Sequence, residues 1–279
     1  MPELPEVETL RRQLQSALPG RVLVDAWFSP DAPKLLRGLT SEEFLLTVRG
    51  RTIGEVRRSG KWLIILFKEG LALVMHLRMT GRVLLRRPDA PEDPYLRARL
   101  ALAGGDEIRW CDVRKFGTWD LVIDPAIVTG AMGHEPLGES FGAGKLVAAA
   151  AGRRAPIKSF LIDQRRIAGL GNIYADEALW DAGIHPLRAA GTITHTEAEG
   201  LCAAIVHVLL DSLESGGSSM RDYLDTAGRA GRFQERWQVY KREGSPCPRC
   251  SASIVRITVG GRGTRYCPQC QPEQSGSRD

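Results

Sequence analysis

A chain of 279 residues with 43% apolar residues is long enough for one large domain or two ordinary ones, each with a packed core. Its 38 Lys and Arg against 33 Asp and Glu leave a net charge of +5, which favours polyanionic partners without identifying one. No charge-free apolar run of membrane-spanning length occurs, and the opening Met1-Pro2-Glu3-Leu4-Pro5-Glu6 is acidic where a secretory signal is basic and then apolar, so neither a membrane nor a secreted protein is expected, and the location expected is cytoplasmic.

Residues 5–18 place Val7, Leu10, Leu14 and Leu18 on one helical face, with Pro5 in the first turn, Glu6 and Glu8 at the positive dipole end, and Pro19-Gly20 as the stop. From 22 to 123 the pattern changes to short apolar or alternating runs: Val22 to Phe28, Trp62 to Phe67, Leu71 to Met75, Val83 to Leu85, Arg97 to Ala103, Ile108 to Cys111 and Thr118 to Ile123. Such runs predict a β-sandwich. The Gly- and Pro-rich stretch after it predicts a hinge, set at 132–145. Helices follow at 146–151 and 156–165, then at 173–182 with Asn172 as N-cap and Gly183 as the stop. Thr194 and Glu197 form a capping box for a helix carrying Leu201, Ile205, Val208 and Leu209. Residues 215–232 read as a Gly-rich loop and the C-terminal end as a disordered tail. There is no internal repeat.

Two features carry chemistry. Cys247, Cys250, Cys267 and Cys270 form two Cys-x-x-Cys pairs, a spacing that converges four thiolates on one zinc ion with Ile254, Val255, Ile257 and Val259 in a hairpin between them. Two disulfides are the alternative, and they need an oxidising compartment that nothing in the sequence suggests. Cys111 and Cys202 are isolated, and His134, His185, His195 and His207 show no ligand spacing. At the other end, a small residue after the initiator methionine generally lets it be removed, exposing a secondary amine at Pro2. With an α-amino pKa of about 7.7 to 8.0, a useful fraction of that amine is unprotonated at neutral pH. Its condensation with a sugar carbon gives a cationic iminium, an electron sink for elimination. Glu3 and Glu6 lie close along the chain, where a partly buried carboxyl supplies a proton. The same residues also suit a fraying, capped helix terminus, and by themselves they favour that reading.

The run Pro2-Glu3-Leu4-Pro5-Glu6-Val7-Glu8, with His76-Leu77-Arg78-Met79-Thr80-Gly81, Asp112-Val113-Arg114-Lys115-Phe116-Gly117, Gly171-Asn172-Ile173-Tyr174-Ala175-Asp176-Glu177-Ala178 and the four-cysteine ribbon, resembles bacterial formamidopyrimidine-DNA glycosylases in order from Pro2 to Gln271. The resemblance implies an α+β, two-domain fold: an N-terminal β-sandwich with an N-terminal helix, then a C-terminal helix-two-turn-helix domain with a zinc-finger β-hairpin. The expected divisions are 2–131, the hinge 132–145, helical 146–240, zinc finger 241–271 and tail 272–279.

It further implies a glycosylase and lyase that excises 8-oxoguanine and formamidopyrimidines from duplex DNA, with one structural zinc ion, a monomeric state and a nucleoid-associated location in a bacterium. Pro2 is then the nucleophile, Glu3 the acid that assists opening of the deoxyribose ring, Glu6 an ordering residue, and Lys61 a lysine near the lesion phosphate. Trp62 departs from the Tyr or Phe more often found after that lysine. Lys158, Asn172 and Arg262 are implied phosphate contacts, the glycine turn before Ile173 also offering free N–H groups and a positive helix end. Arg256 and Arg265 are expected to be solvated. His76 is an implied DNA contact, and Met79, Arg114 and Phe116 are implied to fill the gap left by the flipped nucleotide. That trio favours the purine enzyme over the related endonuclease VIII type, which prefers oxidised pyrimidines. A non-catalytic zinc-ribbon DNA-binding protein is the alternative from another class, and it has no use for Pro2 and Glu3.

Overall fold

Helix α1 (Leu4–Ala17) starts where the sequence places its prolines, with Glu3 as N-cap in a capping box with Glu6 and with Val7, Leu10 and Leu14 buried. The structure, a computed structural model, describes residues 1–220 and 222–273; of the expected tail, residues 274–279 lie outside this range. After α1 come β1 (Leu23–Phe28), β2 (Leu36–Arg37), α2 (Ser41–Val48), β3 (Ile53–Ser59), β4 (Trp62–Phe67), β5 (Ala72–His76), β6 (Gly81–Arg86), β7 (Leu96–Leu102), β8 (Glu107–Asp112), β9 (Thr118–Val122) and α3 (Ala126–Thr129). A four-stranded sheet in the order β1-β7-β8-β6 and a five-stranded sheet in the order β2-β9-β5-β4-β3 hold these strands.

Trp110 of β8 and Trp119 of β9 belong to different sheets and meet edge to face at 5.6 Å, and Phe28 and Phe44 extend the cluster. Edge strand β3 is covered by α1: the Gln15 side-chain oxygen accepts from Val56 N–H at 2.6 Å, and Arg58 donates to Glu8 at 3.0 Å. Sequence periodicity gave neither α2 nor β3. The signal for α2 was present in the Thr40–Glu43 capping box, whereas β3 carries charges that break its alternation.

The chain divides into two compact units, 1–131 with 212–234, and 132–211 with the residues from 235 onward. Residues 212–234, part of the expected helical division 146–240, thus pack with the first unit. They do so because Tyr223 lies in the sandwich core, Leu85 N–H donates to Thr226 O at 2.9 Å, and the Gln13 side chain joins both Asp225 and Thr226. The expected hinge at 132–145 is not a free linker. His134 pairs with Ile167, and α4 (Ala143–Ala150) already begins inside it.

In the second unit, α5 (Ile157–Ile162), α6 (Asn172–Asp181) and α7 (His195–Glu214) follow, α7 running across the division between the units. The Thr194–Glu197 box is present at the start of α7. The N-cap of α6 is Gly171 rather than Asn172, which is the first helical residue. Strands β10 (Val255–Val259) and β11 (Arg262–Tyr266) form the expected hairpin around Gly260-Gly261, both at positive φ. Buried Glu177 fixes residues 238–240 to α6 by accepting the N–H groups of Gln238, Val239 and Tyr240 at 2.8 to 3.1 Å. No described helix is long and apolar enough to cross a membrane.

Candidate active site

Pro2 and Glu3 are both buried, and Glu6 organises the backbone around them. One Glu6 carboxylate oxygen accepts from Glu3 N–H and the other from Ser218 N–H, each at 2.7 Å, so the N-terminal cap and the 215–232 loop are held by one side chain. Tyr223 adds a hydroxyl donated to Glu6 O at 3.4 Å. Met1 still precedes Pro2 in this chain, and its removal is what turns the Pro2 amide nitrogen into a secondary amine.

Lys61 sits in the two-residue turn between β3 and β4 and is buried. Its neighbour Trp62 pairs with His76 across β4 and β5 and meets the imidazole edge to face at 4.6 Å, which gives the departure at position 62 a packing role. Burial, then the nearby positive charges of Arg78, Lys61 and Arg37, push the His76 pKa down to about 3. The ring is neutral at physiological pH. Its Nδ1 accepts Arg78 N–H at 2.9 Å, so the proton resides on Nε2, which is left as a donor.

The pH consequence has a definite sign. An unfolded imidazole takes a proton as pH falls through 6.5 and the folded one only near 3, so acid between these values favours the unfolded state. His76→Gln, which keeps an acceptor for Arg78 N–H, is expected to flatten the pH dependence of the urea midpoint across this window. An unaltered slope in the variant would remove His76 from the acid response.

Met79, Arg114 and Phe116 come together on the surface of the first unit. Met79 is 41% exposed and Phe116 50%, and the Arg114 guanidinium lies 2.8 Å from the Met79 sulfur and 4.6 Å from the Phe116 ring centre. Met79 and Phe116 are thus not part of the sandwich core. Sequence reasoning missed what holds them. Buried Asp112 at the end of β8 accepts from Thr80 Oγ1 at 2.5 Å, Arg114 N–H at 3.2 Å and Gly117 N–H at 2.8 Å, joining the two loops that carry the trio. The glycines of both motifs admit Trp110: a Cβ would stand 2.8 Å from its ring at Gly81 and 2.3 Å at Gly117. The Asp at the head of Asp112-Val113-Arg114 was the available signal, since a short acceptor before a turn commonly binds the backbone beyond it.

The Gly-rich 215–232 loop is anchored by hydrogen bonds. Arg82 donates to Asp222 O, and Ser219 Oγ donates to Tyr223 O at 2.7 Å, so two of the carbonyls between 218 and 223 already accept internal hydrogen bonds.

In the second unit the four cysteine sulfurs lie within 4.8 Å of one another, with Cys247–Cys270 at 3.8 Å and Cys250–Cys267 at 3.4 Å. These separations fit the roughly 3.8 Å edges of a tetrahedron with 2.3 Å zinc–sulfur bonds and are far too long for disulfides. It is the sole such group among the described residues. Trp180 donates its indole N–H to Cys247 Sγ at 3.4 Å, supporting the thiolate charge. Four sulfurs close the coordination shell, so this is a structural site. Cys111 and Cys202 are free, buried thiols raised to about 11 by desolvation.

Arg262 is exposed just past the hairpin turn. Lys158 is not a surface cation as expected. It is fully buried, 2.5 Å from Asp176 and 2.7 Å from Thr264 Oγ1. Asn172 donates its side-chain amide to Gly263 O at 3.1 Å. Arg256 is exposed as expected, but Arg265 is not solvated: it pairs with Glu243 at 3.2 Å and lies over the Tyr240 ring.

Family models match three successive segments: the formamidopyrimidine-DNA glycosylase N-terminal domain over residues 1–119, the H2TH domain of the same enzymes over 132–223, and the zinc finger found in FPG and IleRS over 244–272. A formamidopyrimidine-DNA glycosylase of Chloroflexus aggregans is 44% identical over 273 residues, covering 97% of this chain and 98% of the relative. That of Pelotomaculum thermopropionicum is also 44% identical, over 97% of this chain and 99% of its own length. Among solved structures, Lactococcus lactis Fpg in complex with abasic-site DNA superposes with a TM-score of 0.89 at 35% identity, covering 97% of this chain and 100% of that one. A Lactococcus lactis Fpg variant bound to Fapy-dG DNA gives the same TM-score and identity, over 98% of this chain and 100% of that one. With the capped N-terminal proline, the exposed Met-Arg-Phe tip and the four-thiolate centre all on segments so matched, this chain belongs to the formamidopyrimidine-DNA glycosylase family.

Proposed function

We propose that this chain is a DNA glycosylase and abasic-site lyase that removes oxidised purines, 8-oxoguanine and formamidopyrimidines, from duplex DNA in the bacterial cytoplasm, where DNA binding associates it with the nucleoid. The observation that carries this reading is the clustering of Met79, Arg114 and Phe116 at one exposed tip. Extruding a nucleotide costs a few kcal/mol of stacking and pairing, and an apolar side chain with an aromatic wedge recovers part of it by occupying the vacated stack.

After loss of Met1, the Pro2 nitrogen attacks C1′ of the extruded nucleotide. Glu3, as an acid at the ring oxygen, assists opening of the sugar, the base departs, and the resulting iminium draws electrons for β- and then δ-elimination of the flanking phosphates. Lys61 and the Nε2–H of neutral His76 serve the phosphates near the lesion, and Arg262 a backbone phosphate in the second unit's interface. Zinc, bound by Cys247, Cys250, Cys267 and Cys270, shapes the hairpin and takes no part in bond making. A duplex panel with defined lesions tests the substrate class: release of 8-oxoguanine well above that of oxidised pyrimidines is expected, and the reverse order would favour the endonuclease VIII type.

The 215–232 loop is the proposed reader of N7–H, a donor on 8-oxoguanine where guanine has an acceptor. Within the stretch from Ser218 to Tyr223, Asp222 O and Tyr223 O already accept internal hydrogen bonds, which favours Ser219 or Met220 as the source of the acceptor.

Arg114 offers donors only, which suits the O2 and N3 acceptors of an orphaned cytosine better than the edge of adenine. Arg114→Ala is expected to lower the ratio of cytosine-opposed to adenine-opposed cleavage by about tenfold, the scale of one good base contact. Asp112→Asn, which removes one acceptor from the loop clasp, should move the ratio in the same direction. An unchanged ratio in folded Arg114→Ala protein would take Arg114 out of this role.

A further inference from the structure

We propose that Lys158 and Asp176 are positioning residues: a buried ion pair that, together with Asn172, grips residues 263–265 of β11 and thereby sets where Arg262 presents its guanidinium. This rests on the reading of Arg262 as a phosphate contact.

A lysine ammonium has three protons. At Lys158 the ammonium donates to Thr264 Oγ1 at 2.7 Å and to Gly263 O at 3.4 Å, and it stands 2.5 Å from Asp176 Oδ1 as an ion pair. With its side chain fully buried, the ammonium has no surface to offer a phosphate. The same patch of β11 is held from α6 as well. Asn172 Nδ2 donates to Gly263 O at 3.1 Å, and Arg265 N–H donates to Asp176 Oδ2 at 3.0 Å.

The chain of bonds ends on Arg262. Thr264 Oγ1, which accepts from Lys158, donates its own proton to Arg262 O at 3.1 Å, so the ammonium and the Arg262 backbone are two hydrogen bonds apart. The turn is also seated against α5: a Cβ on Gly260 would come within 2.8 Å of Ser159 Oγ. Arg262 itself is exposed, and its guanidinium has no ion-pair or hydrogen-bond partner among the described residues. A long, exposed cationic side chain just past a two-residue turn is steered through its backbone. The zinc-ligating cysteines fix the far end of the hairpin, and the Lys158–Asp176 grip fixes the end that carries Arg262.

The alternative, Lys158 as a direct phosphate ligand, predicts a different sign. Removing the charge of Asp176 beside a phosphate-binding lysine would strengthen DNA binding, because a carboxylate repels the polyanion; loosening a positioning pair weakens it. The test measures the affinity of zinc-loaded full-length protein for a duplex bearing a tetrahydrofuran abasic analogue, as a function of KCl concentration. The proteins are the wild type, Arg262→Ala, Lys158→Met, Asp176→Asn, Thr264→Val and the Lys158→Met/Arg262→Ala double variant, each with zinc content and melting temperature recorded.

Arg262→Ala is expected to weaken binding about tenfold at moderate salt and to reduce the salt slope by about one. Lys158→Met and Asp176→Asn should each weaken binding several-fold, and Lys158→Met should add less than about twofold in the Arg262→Ala background, the signature of two residues acting through one contact. Thr264→Val, a neutral and nearly isosteric change, carries the test should the ion-pair variants fail to fold; it should weaken binding about threefold with Arg262 present and not without it. Tighter binding by Asp176→Asn, full additivity of Lys158→Met with a further slope loss of about one, or an unaffected Thr264→Val would overturn the proposal. An Arg262→Ala protein with normal affinity and slope would instead defeat the reading of Arg262 itself.

Discussion

Protein that retains Met1, or carries an N-terminal tag, is expected to form no borohydride-trapped adduct with abasic-site DNA, while binding that DNA nearly as well as the processed enzyme. The reason is elementary: acylation by Met1 leaves the Pro2 nitrogen an amide, with its lone pair delocalised and no capacity to form an iminium. Loss of the nucleophile should reduce trapping on the order of 10³-fold or more, as deletion of a nucleophile does in other covalent enzymes. The geometry sharpens the expectation. Pro2 immediately precedes a capped helix end that Glu6 ties both to Glu3 and to Ser218, and Met1 extends from it half-exposed with that cap intact, so the lost trapping reports the acylated nitrogen and not a disrupted cap. Mass spectrometry of the trapped adduct decides the matter. Attachment at Lys61 or Lys158 would mean that Pro2 is not the nucleophile, and for Lys158 would also require its ammonium to leave full burial.

Cys267→Ser is expected to abolish stoichiometric zinc and to weaken DNA binding on the order of 100-fold. Structural zinc in finger peptides is worth roughly 10–16 kcal/mol of apparent binding energy, so losing a ligand removes most of what folds so small a hairpin. Cys267 is the appropriate position because it is buried at the centre of a small cluster with Trp180, Val239, Cys247 and Ile254, where a hydroxyl neither ligates as well nor packs as well. The grip on residues 263–265 will not rescue the variant, since β11 pairs along its whole length with β10, whose fold depends on the same centre. Cys202→Ser, at a buried thiol far from ligand spacing, should keep zinc and DNA binding alike. Fully active protein without zinc, or cysteines found oxidised in native protein, would refute the assignment.

Much of the fold was legible because it is written in local spacing. Helix α1, the seven alternating runs, the Thr194–Glu197 box and the cysteine hairpin each depend on residues a few positions apart, so pattern and structure agree to within a few residues. Strand β3 was not legible, because its outward Glu55, Arg57 and Arg58 obscure the alternation, and it is α1 lying over this edge that makes the segment a strand. The packing of residues 212–234 with the first unit was not legible for a related reason. It depends on Tyr223 entering a core and on Gln13 meeting Thr226 some 213 positions away, and neither leaves a periodic trace.

The sequence by itself determined the candidate groups: four thiols at zinc spacing from residue type and short separation, and a proline behind the initiator methionine with a carboxyl beside it, singled out by the family resemblance. Only the tertiary structure decided which charged and polar groups are spent inside the protein. Lys158 is buried against Asp176 and a threonine 106 positions away, and Asp112 binds two loops so that Met79, Arg114 and Phe116 share one tip. Whether a lysine or a carboxylate meets water or a partner depends on desolvation by elements distant in the chain, and that energy is settled only when those elements pack.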